Sequence, residues 1–370
     1  MKTSLTVIGV ALVLLVAQQA GQAQQPGSAA EWGSGLSASA DDSPLLVRGQ
    51  DPGPCGCRGE QCPVCCPTPY CVDRWQVFGD LLYLQPRNVD VTIGVPVATP
   101  IVGAGQPALG PALVVDSEYR PGFRVGFARA LDECASVGIT YSHLDTHQTI
   151  NPSVDPTTQT IFPLVIDPTQ VIPGSTYDTA FGRQDVDFRI VDADFRHVFR
   201  ATDRYALSYL VGARYLHLRQ DFAASFFAPA TADDQNVFTR IRFDGGGIRL
   251  GLEGERHAAN SCLMVYGKTA ASFVAGDFRA AYLEAQPDQL PSVDTSWKAG
   301  RVISMLDLEL GGGWASPDGN FRVTAGYMVS GWFNVVKTSE WVRAVQTSNY
   351  TGLSDAINFD GIVLRTEFRF

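Results

Sequence analysis

Charge is scarce in this chain, and one carrier of it is nearly missing. Asp, Glu, Lys and Arg make up 18% of the 370 residues, and lysine occurs only as Lys2, Lys268, Lys298 and Lys337. Almost all of the 28 basic side chains are therefore arginine. Arginine stays charged and pairs carboxylates in a bidentate fork, which suits a crowded polar interior. A biased base composition would produce the same skew. The formal charge of −10 becomes −11 once a leader carrying Lys2 is removed, and it excludes the basic footprint that nucleic-acid binding requires. After residue 17 no apolar run is long enough for a membrane helix, so any span must use strands. Gly-x-Ser-x-Gly, His-Glu-x-x-His and P-loop patterns are also missing. The chain is accordingly read as no enzyme, with no catalytic residue, cofactor or metal. An enzyme stays open, because a folded chain can assemble Ser, His and Asp at one rim without a linear motif.

The N-terminus has the form of a secretion signal. Lys2 gives the positive end, 5–17 the apolar stretch, and Gly21-Gln22-Ala23 the small residues of a cleavage site. Residues 1–23 are read as a signal peptide. Residues 24–72, rich in Gln, Gly, Ser, Ala and Pro, are read as a linker with a cysteine-rich segment, and 73–370 as the folded domain.

That domain alternates with period two. Ten strands are expected, over 74–84, 118–130, 134–145, 184–199, 205–220, 238–256, 262–279, 301–315, 321–336 and 358–370. Connections at 131–133, 200–204, 257–261 and 316–320 are short, and the intervening ones are long. Regular short/long alternation, with both termini at the short-turn end, is the habit of an outer-membrane barrel. A β-sandwich has shorter strands and no such rule. The fold class is all-β: an up-and-down antiparallel transmembrane barrel with periplasmic termini. Ten strands satisfy an even count. Twelve would also, if 89–97 and 112–116 form a further pair.

The last strand shows the two faces. Ile362, Leu364, Phe368 and Phe370 share one parity; Arg365, Glu367 and Arg369 share the other. The apolar parity is assigned to lipid and the charged one to the lumen. Phe368 and Phe370 are expected to carry the C-terminal signal read by the barrel-assembly machinery. In the fifth strand Tyr205, Leu207, Tyr209, Val211, Ala213 and Tyr215 read as a lipid face with aromatic girdles. The fourth strand changes phase: Val186, Phe188 and Ile190 share one parity, Val191, Ala193 and Phe195 the other. Either a bulge near Ile190 re-phases it, or its upper half stands above the membrane.

Arg124, Asp192, Asp194, Arg196, Arg214, Arg249, Glu253, Lys268, Asp307, Glu309, Arg322, Arg365, Glu367 and Arg369 are assigned to the lumen. Asp192, Asp194 and Arg196 should face the strand of Arg214. Arg249 and Glu253 should lie beside Lys268, and Asp307 and Glu309 should face the strand that bears Arg322. Asp80 should meet the last strand across the closing seam. Inward glycines, such as Gly126, Gly311 and Gly326, leave either a thin water path or room for large side chains. A ten-stranded barrel is narrow, so an open channel does not follow from the fold.

Cys55, Cys57, Cys62, Cys65, Cys66 and Cys71 are disulfide candidates, since exported proteins oxidise their thiols. Zinc is the other reading, from Cys62-x-x-Cys65. Cys134 and Cys262 fall at short-turn ends on strands nearly opposite, too far for a mutual bridge. They are expected to be free, or one of them to tether the N-terminal segment. His143 and His147 share a face, as a weak metal site or as polar girdle residues.

The stretches Phe78-Gly-Asp-Leu-Leu-Tyr-Leu84, Val191-Asp-Ala-Asp-Phe195 and Leu210-Val-Gly-Ala-Arg-Tyr-Leu216 resemble the pore-forming outer-membrane protein family typified by the Legionella major outer-membrane protein. The similarity covers about 72–370 and is greatest to planctomycete-type members with a cysteine-rich run before the first strand. The resemblance implies location in the outer membrane, contact with its lipid, and a narrow porin-like pore or a structural surface role, with small solutes as possible cargo. A loop-mediated adhesion or receptor role, using 146–183 above all, is the further alternative.

Overall fold

The structure, a computed structural model, describes residues 75–370 apart from 104, 133, 172, 203, 230–233, 259–260, 288 and 318. The expected signal peptide (1–23), the expected linker (24–72) and the six cysteines of 55–71 lie outside the described residues.

The strands are β1 (Trp75–Arg87), β2 (Val91–Ala98), β3 (Leu113–Val115), β4 (Arg120–Ala130), β5 (Ala135–Ile150), β6 (Gln159–Pro163), β7 (Thr179–Ala201), β8 (Tyr205–Phe227), β9 (Gln235–His257), β10 (Leu263–Ala285), β11 (Val293–Ala315), β12 (Phe321–Val335) and β13 (Asp355–Arg369). One helix, α1 (Thr338–Gln346), lies between β12 and β13. Ten strands close an antiparallel barrel in the order β1-β13-β12-β11-β10-β9-β8-β7-β5-β4. The segments considered for strands eleven and twelve do not join it. They form β2 and β3 of a separate sheet ordered β3-β2-β6, because β2 finds its second partner in 159–163.

The seam is a full ladder from Gln76↔Arg369 to Arg87↔Asn358. It ends on two backbone bonds, Trp75 N–H to the Phe370 carbonyl (2.8 Å) and Phe370 N–H to the Trp75 carbonyl (3.0 Å). Phe370 is thus the last rung of the closed ring. Following paired residues once round, from Phe321 through Phe368, Val77, Phe127, Ile139, Ala193, Ala213, Ile248, Phe273 and Ser304, returns to β12 at Phe333. The stagger is therefore twelve residues (333 − 321). With ten strands this sets a tilt of about 40°.

Side chains on the outer surface change character part-way up. On β8 the outward row is Tyr205, Leu207, Tyr209, Val211, Ala213 and Tyr215, and then His217, Arg219 and Asp221. Ten residues at about 3.4 Å each, tilted by about 40°, span about 25 Å, the height of a barrel's lipid band. On β7 the outward row rises from Phe195 through Ala193 and Val191 to Arg189, Asp187, Asp185 and Arg183. Its inward row changes oppositely, from Arg196, Asp194 and Asp192 to Ile190, Phe188 and Val186, which are 7%, 4% and 0% exposed. Pairing of β7 with β5 and β8 runs unbroken through Ile190; the β7–β8 register shifts only between Val198 and Arg200. No bulge re-phases the strand. Its upper half stands beyond the lipid band, where water outside restores the ordinary rule of apolar inside. This also explains why β7 to β11 run to 23 residues each, longer than expected.

Aromatics mark both edges of the band. Trp75 packs on Phe127 (4.9 Å between centroids) and Phe321 on Phe368 (4.9 Å) at the short-turn end. Tyr83 stacks on Tyr119 (5.5 Å) at the other. Rings with an apolar body and a polar tip suit such interfaces.

The projecting half is filled and capped. Ile93, Val115, Ile161 and Tyr177 from the small sheet and its loops join Trp341 of α1 in one buried cluster with the upper wall. α1 forms because Trp341, Val342, Ala344 and Val345 lie on one face, with Glu340 in the first turn and Arg343 in the last, as the helix dipole favours. Inward glutamines tie the cap to the wall: Gln184 Nε2 donates to the Val89 carbonyl (2.7 Å) and Gln220 Nε2 to that of Val336 (2.8 Å).

Candidate functional site

Within the lipid band the inward residues carry charge, and their partners lie across the lumen as often as on adjacent strands. Arg214, 5% exposed, donates from Nε and Nη2 to both oxygens of Asp192 (2.7 and 2.9 Å) and from Nη1 to Asp307 (2.8 Å). Asp192 is its direct neighbour in the ladder; Asp307 lies three strands away. Arg365 forks onto Asp80 (2.7 and 2.9 Å) at the seam. Arg124 reaches Asp80 (3.2 Å) and also Glu309 (3.3 Å), four strands round. Lys268 Nζ and the Tyr266 hydroxyl both donate to Glu309 Oε1 (3.4 and 3.0 Å). Arg249 pairs with Asp194 and lies 3.4 Å from Asp192. Nearer the mouth, Arg196 meets Glu253 (3.0 Å), Arg369 meets Glu367 (2.6 Å) and Arg322 pairs with Glu255. Buried charge persists only when paired, and here positive and negative positions interleave at every level.

Two adjoining cavities lie in this layer. The lower one, about 160 Å³, is lined by Arg196, Glu253, Glu255, Arg322, Arg365, Glu367 and Arg369 at the short-turn mouth. The upper, about 110 Å³, is lined by Arg124, Asp192, Arg214, Arg249 and Glu309, and Phe188, Trp332 and Phe359 also border it. Lys268 and Arg365 belong to both walls.

Those three aromatics cross the lumen. Phe188 stands on β7 and Trp332 on β12, five steps apart in a ring of ten, yet their centroids are 5.3 Å apart. Phe359 of β13 lies 5.0 Å from Phe188 and 4.8 Å from Trp332. Trp332 Nε1 donates to Ser330 Oγ (2.8 Å), which donates to Asp307 (2.5 Å), so the stopper is anchored to the charge layer. Above it Leu216, Phe243, Phe278 and Met305 continue the buried cluster into the cap.

The inward glycines give their space to side chains. A methyl at Gly126 would overlap the Phe78 ring, and methyls at Gly311 and Gly326 would meet Tyr266. Arg365 in turn lies 4.2 Å over the Phe78 ring, a cation–π contact.

A model of the family described as Legionella pneumophila major outer membrane protein precursor matches residues 68–367. The chain belongs to this family. The matched residues take in the whole ring but for its last three residues, so membership covers barrel, stopper and cap alike. No curated protein matches the chain. Among solved structures, the outer membrane protease OmpT from Escherichia coli is 11% identical, with a TM-score of 0.45, over 80% of this chain and 97% of that one. The toluene transporter TodX of Pseudomonas putida is 9% identical, with a TM-score of 0.28, over 80% and 89%. Likenesses this distant carry no functional argument. As a member of this family with a closed, lipid-banded barrel, the protein is an outer-membrane β-barrel protein.

Placement differs from expectation at several residues. Asp307 and Glu309 do face β12, the strand of Arg322, but Arg322 itself pairs elsewhere. It turns to Glu255, three strands away, while those two carboxylates serve Arg214, Arg124 and Lys268. Ladder neighbours were readable in the sequence, but the reach of a long side chain across a narrow lumen was not. Glu255 shares the parity of Arg249 and Glu253, the signal that places it in the lumen beside them. Cys134 and Cys262 are both disulfide-bonded, so neither is a free thiol. His143 and His147 are held by different partners, His143 against the Phe123 ring (5.6 Å) and His147 by Asp185 (2.5 Å).

Proposed function

We propose that this family member is a structural surface barrel rather than an open diffusion pore. The Phe188–Trp332–Phe359 contact across the lumen carries the reading. Water and ions entering from the periplasm meet a charge layer locked by multi-partner pairs and then an apolar stopper. The proposed role is to hold a folded, polar-skinned body at the cell surface, with its cap of β2, β3, β6 and α1 outermost. The proposal assigns no catalytic step. Export by the 1–23 signal and recognition of the Phe370 strand by the barrel-assembly machinery belong to the same reading.

A gated narrow pore is the second reading. It is favoured by the charged lining that runs unbroken from the mouth to the stopper. Planar-bilayer recording of the purified full chain separates the two. The structural reading expects a folded, heat-modifiable barrel with no ohmic steps. Reproducible unitary openings of the unmodified protein would overturn it in favour of the pore.

A further inference from the structure

Most outward charges of the projecting half sit by a partner of opposite sign. Asp221 takes both Arg219 and Arg240, and Arg183 forks onto Asp185. Like charges also stand opposite each other at Asp145↔Asp187, Asp185↔Asp221 and Asp244↔Asp277, and one rung is wholly cationic. Arg219 of β8 lies directly opposite Arg242 of β9, Arg242 opposite Arg279 of β10, and Arg279 opposite Lys298 of β11. Four cations thus stand side by side across four strands on the outward face. Like charges directly opposite each other in a sheet are destabilising.

The nearby acids relieve them only in part: Asp244 and Asp277 form the next rung toward the membrane and Arg279 acts on Asp244 at longer range, but each acid has closer partners. Asp221 is engaged as above, Asp277 pairs with Lys298 (3.0 Å), and Asp244 accepts from the Tyr215 hydroxyl (3.1 Å) and bonds His217 (2.7 Å). Arg242 and Arg279, both exposed, are left with no ion pair or side-chain hydrogen bond among the described residues. Two adjacent guanidinium groups with no carboxylate in contact can take an oxyanion between them, and phosphate fits that fork best.

Height selects the source of the phosphate. The unbroken outward apolar rows end at Ile248 on β9 and Phe273 on β10, followed by Gly246 and Ala275 and then by the rung Asp244–Asp277. Arg242 and Arg279 lie four residues beyond that last small rung, about 13 Å along the strand and about 10 Å along the membrane normal. Long basic side chains lean back toward the interface, and the head-group layer lies beneath them.

We propose that the Arg242–Arg279 face binds the phosphate groups of a phosphorylated lipid head group in the leaflet surrounding the barrel. The lipid offsets the repulsion within the rung and fixes the height at which the barrel sits.

The test uses the full chain in a non-ionic detergent. Binding is measured by native mass spectrometry with diphosphoryl lipid A, with its dephosphorylated form, and with inorganic phosphate as competitor. The proposal expects at least tenfold tighter binding of the diphosphorylated lipid than of the dephosphorylated one, and no displacement by phosphate at equal concentration. R242Q/R279Q should lose at least tenfold, with heat-modifiable mobility retained. R183Q, which removes an arginine already paired, should stay within twofold. Equal binding of both lipid forms overturns the proposal, as does an unchanged double variant or displacement by free phosphate. If the double variant misfolds, R242K/R279K decides. It keeps the charge but lacks the fork, and binding equal to the unmodified protein would reject the guanidinium site.

Discussion

The two halves of this barrel share strands and obey opposite rules. Below Tyr215 and Ile248 the outer face is aliphatic and aromatic, and the lumen holds paired ions. Above them the outer face carries arginine and aspartate, and the interior is an apolar core that runs into the cap. Nothing in the backbone marks the change, since the β7–β8 and β9–β10 ladders continue straight through it. Burial in both halves is set by the solvent outside. Lipid leaves polar groups no partner except one another, so they gather in the lumen. Water draws them back out, and the hydrophobic effect fills the interior.

The largest effect should come from emptying the boundary between the halves. Phe188→Ala with Trp332→Ala removes the contact across the lumen, at about 3–5 kcal/mol for each substitution. Where the variant folds, bilayer recording should show ohmic steps that the unmodified chain lacks; silence would mean that the cap alone closes the lumen. Next comes the charge layer. Arg214→Ala leaves buried Asp192 and half-buried Asp307 without their shared cation and should cost about 3–5 kcal/mol in urea unfolding from lipid vesicles. Adding Asp192→Asn should recover part of the loss, and failure to do so would show that Arg214 acts through packing.

A matched pair tests the comparison itself. Leu250→Arg places a charge on the lipid face near mid-height and should cost about 2–4 kcal/mol. Phe238→Arg, the same change on the outward row of the same strand in the projecting half, should stay within about 0.5 kcal/mol. Equal costs would erase the boundary.

The smallest effect concerns Glu284, fully buried beneath the cap. Burial pushes its carboxyl above the usual range, and nearby Asp167 adds to this, against hydrogen bonds from the Asp167 N–H and the Tyr282 hydroxyl. The folded state then binds more protons than the unfolded one. Cap stability is therefore greatest below the ordinary value near 4.5 and falls as pH rises toward the raised one. Glu284→Gln keeps both acceptor bonds and removes the charge. It should flatten the melting temperature followed by tryptophan fluorescence between about pH 4 and about pH 8. A slope equal to that of the unmodified protein would assign the pH dependence elsewhere.

The lipid-embedded half was legible in the sequence because each strand there presents an outward apolar parity bounded by aromatics, as in Tyr205 to Tyr215. The projecting half was not, because its apolar parity lies on the other face. Phe188 and Ile190 therefore looked like a phase error rather than the start of a core. The cap was hidden for another reason: β2 needs β6, some 65 residues on, and no local pattern announces such a pairing. In the candidate site, the inward positions and the seam pair Asp80–Arg365 followed from parity and register. Arg322 with Glu255, and Arg124 with Glu309, depend on reach across a lumen whose width only the closed ring defines.

Site-directed spin labelling along one strand tests the boundary most directly. Single labels on the outward row of β9, at 238, 240, 242, 244, 246, 248, 250 and 252, are reconstituted in bilayers, and their access to oxygen and to a water-soluble nickel chelate is compared. Oxygen-dominated access is expected at 248, 250 and 252 and chelate-dominated access from 244 to 238, with the crossover near Gly246. Oxygen-dominated access continuing to 238 would contradict the boundary.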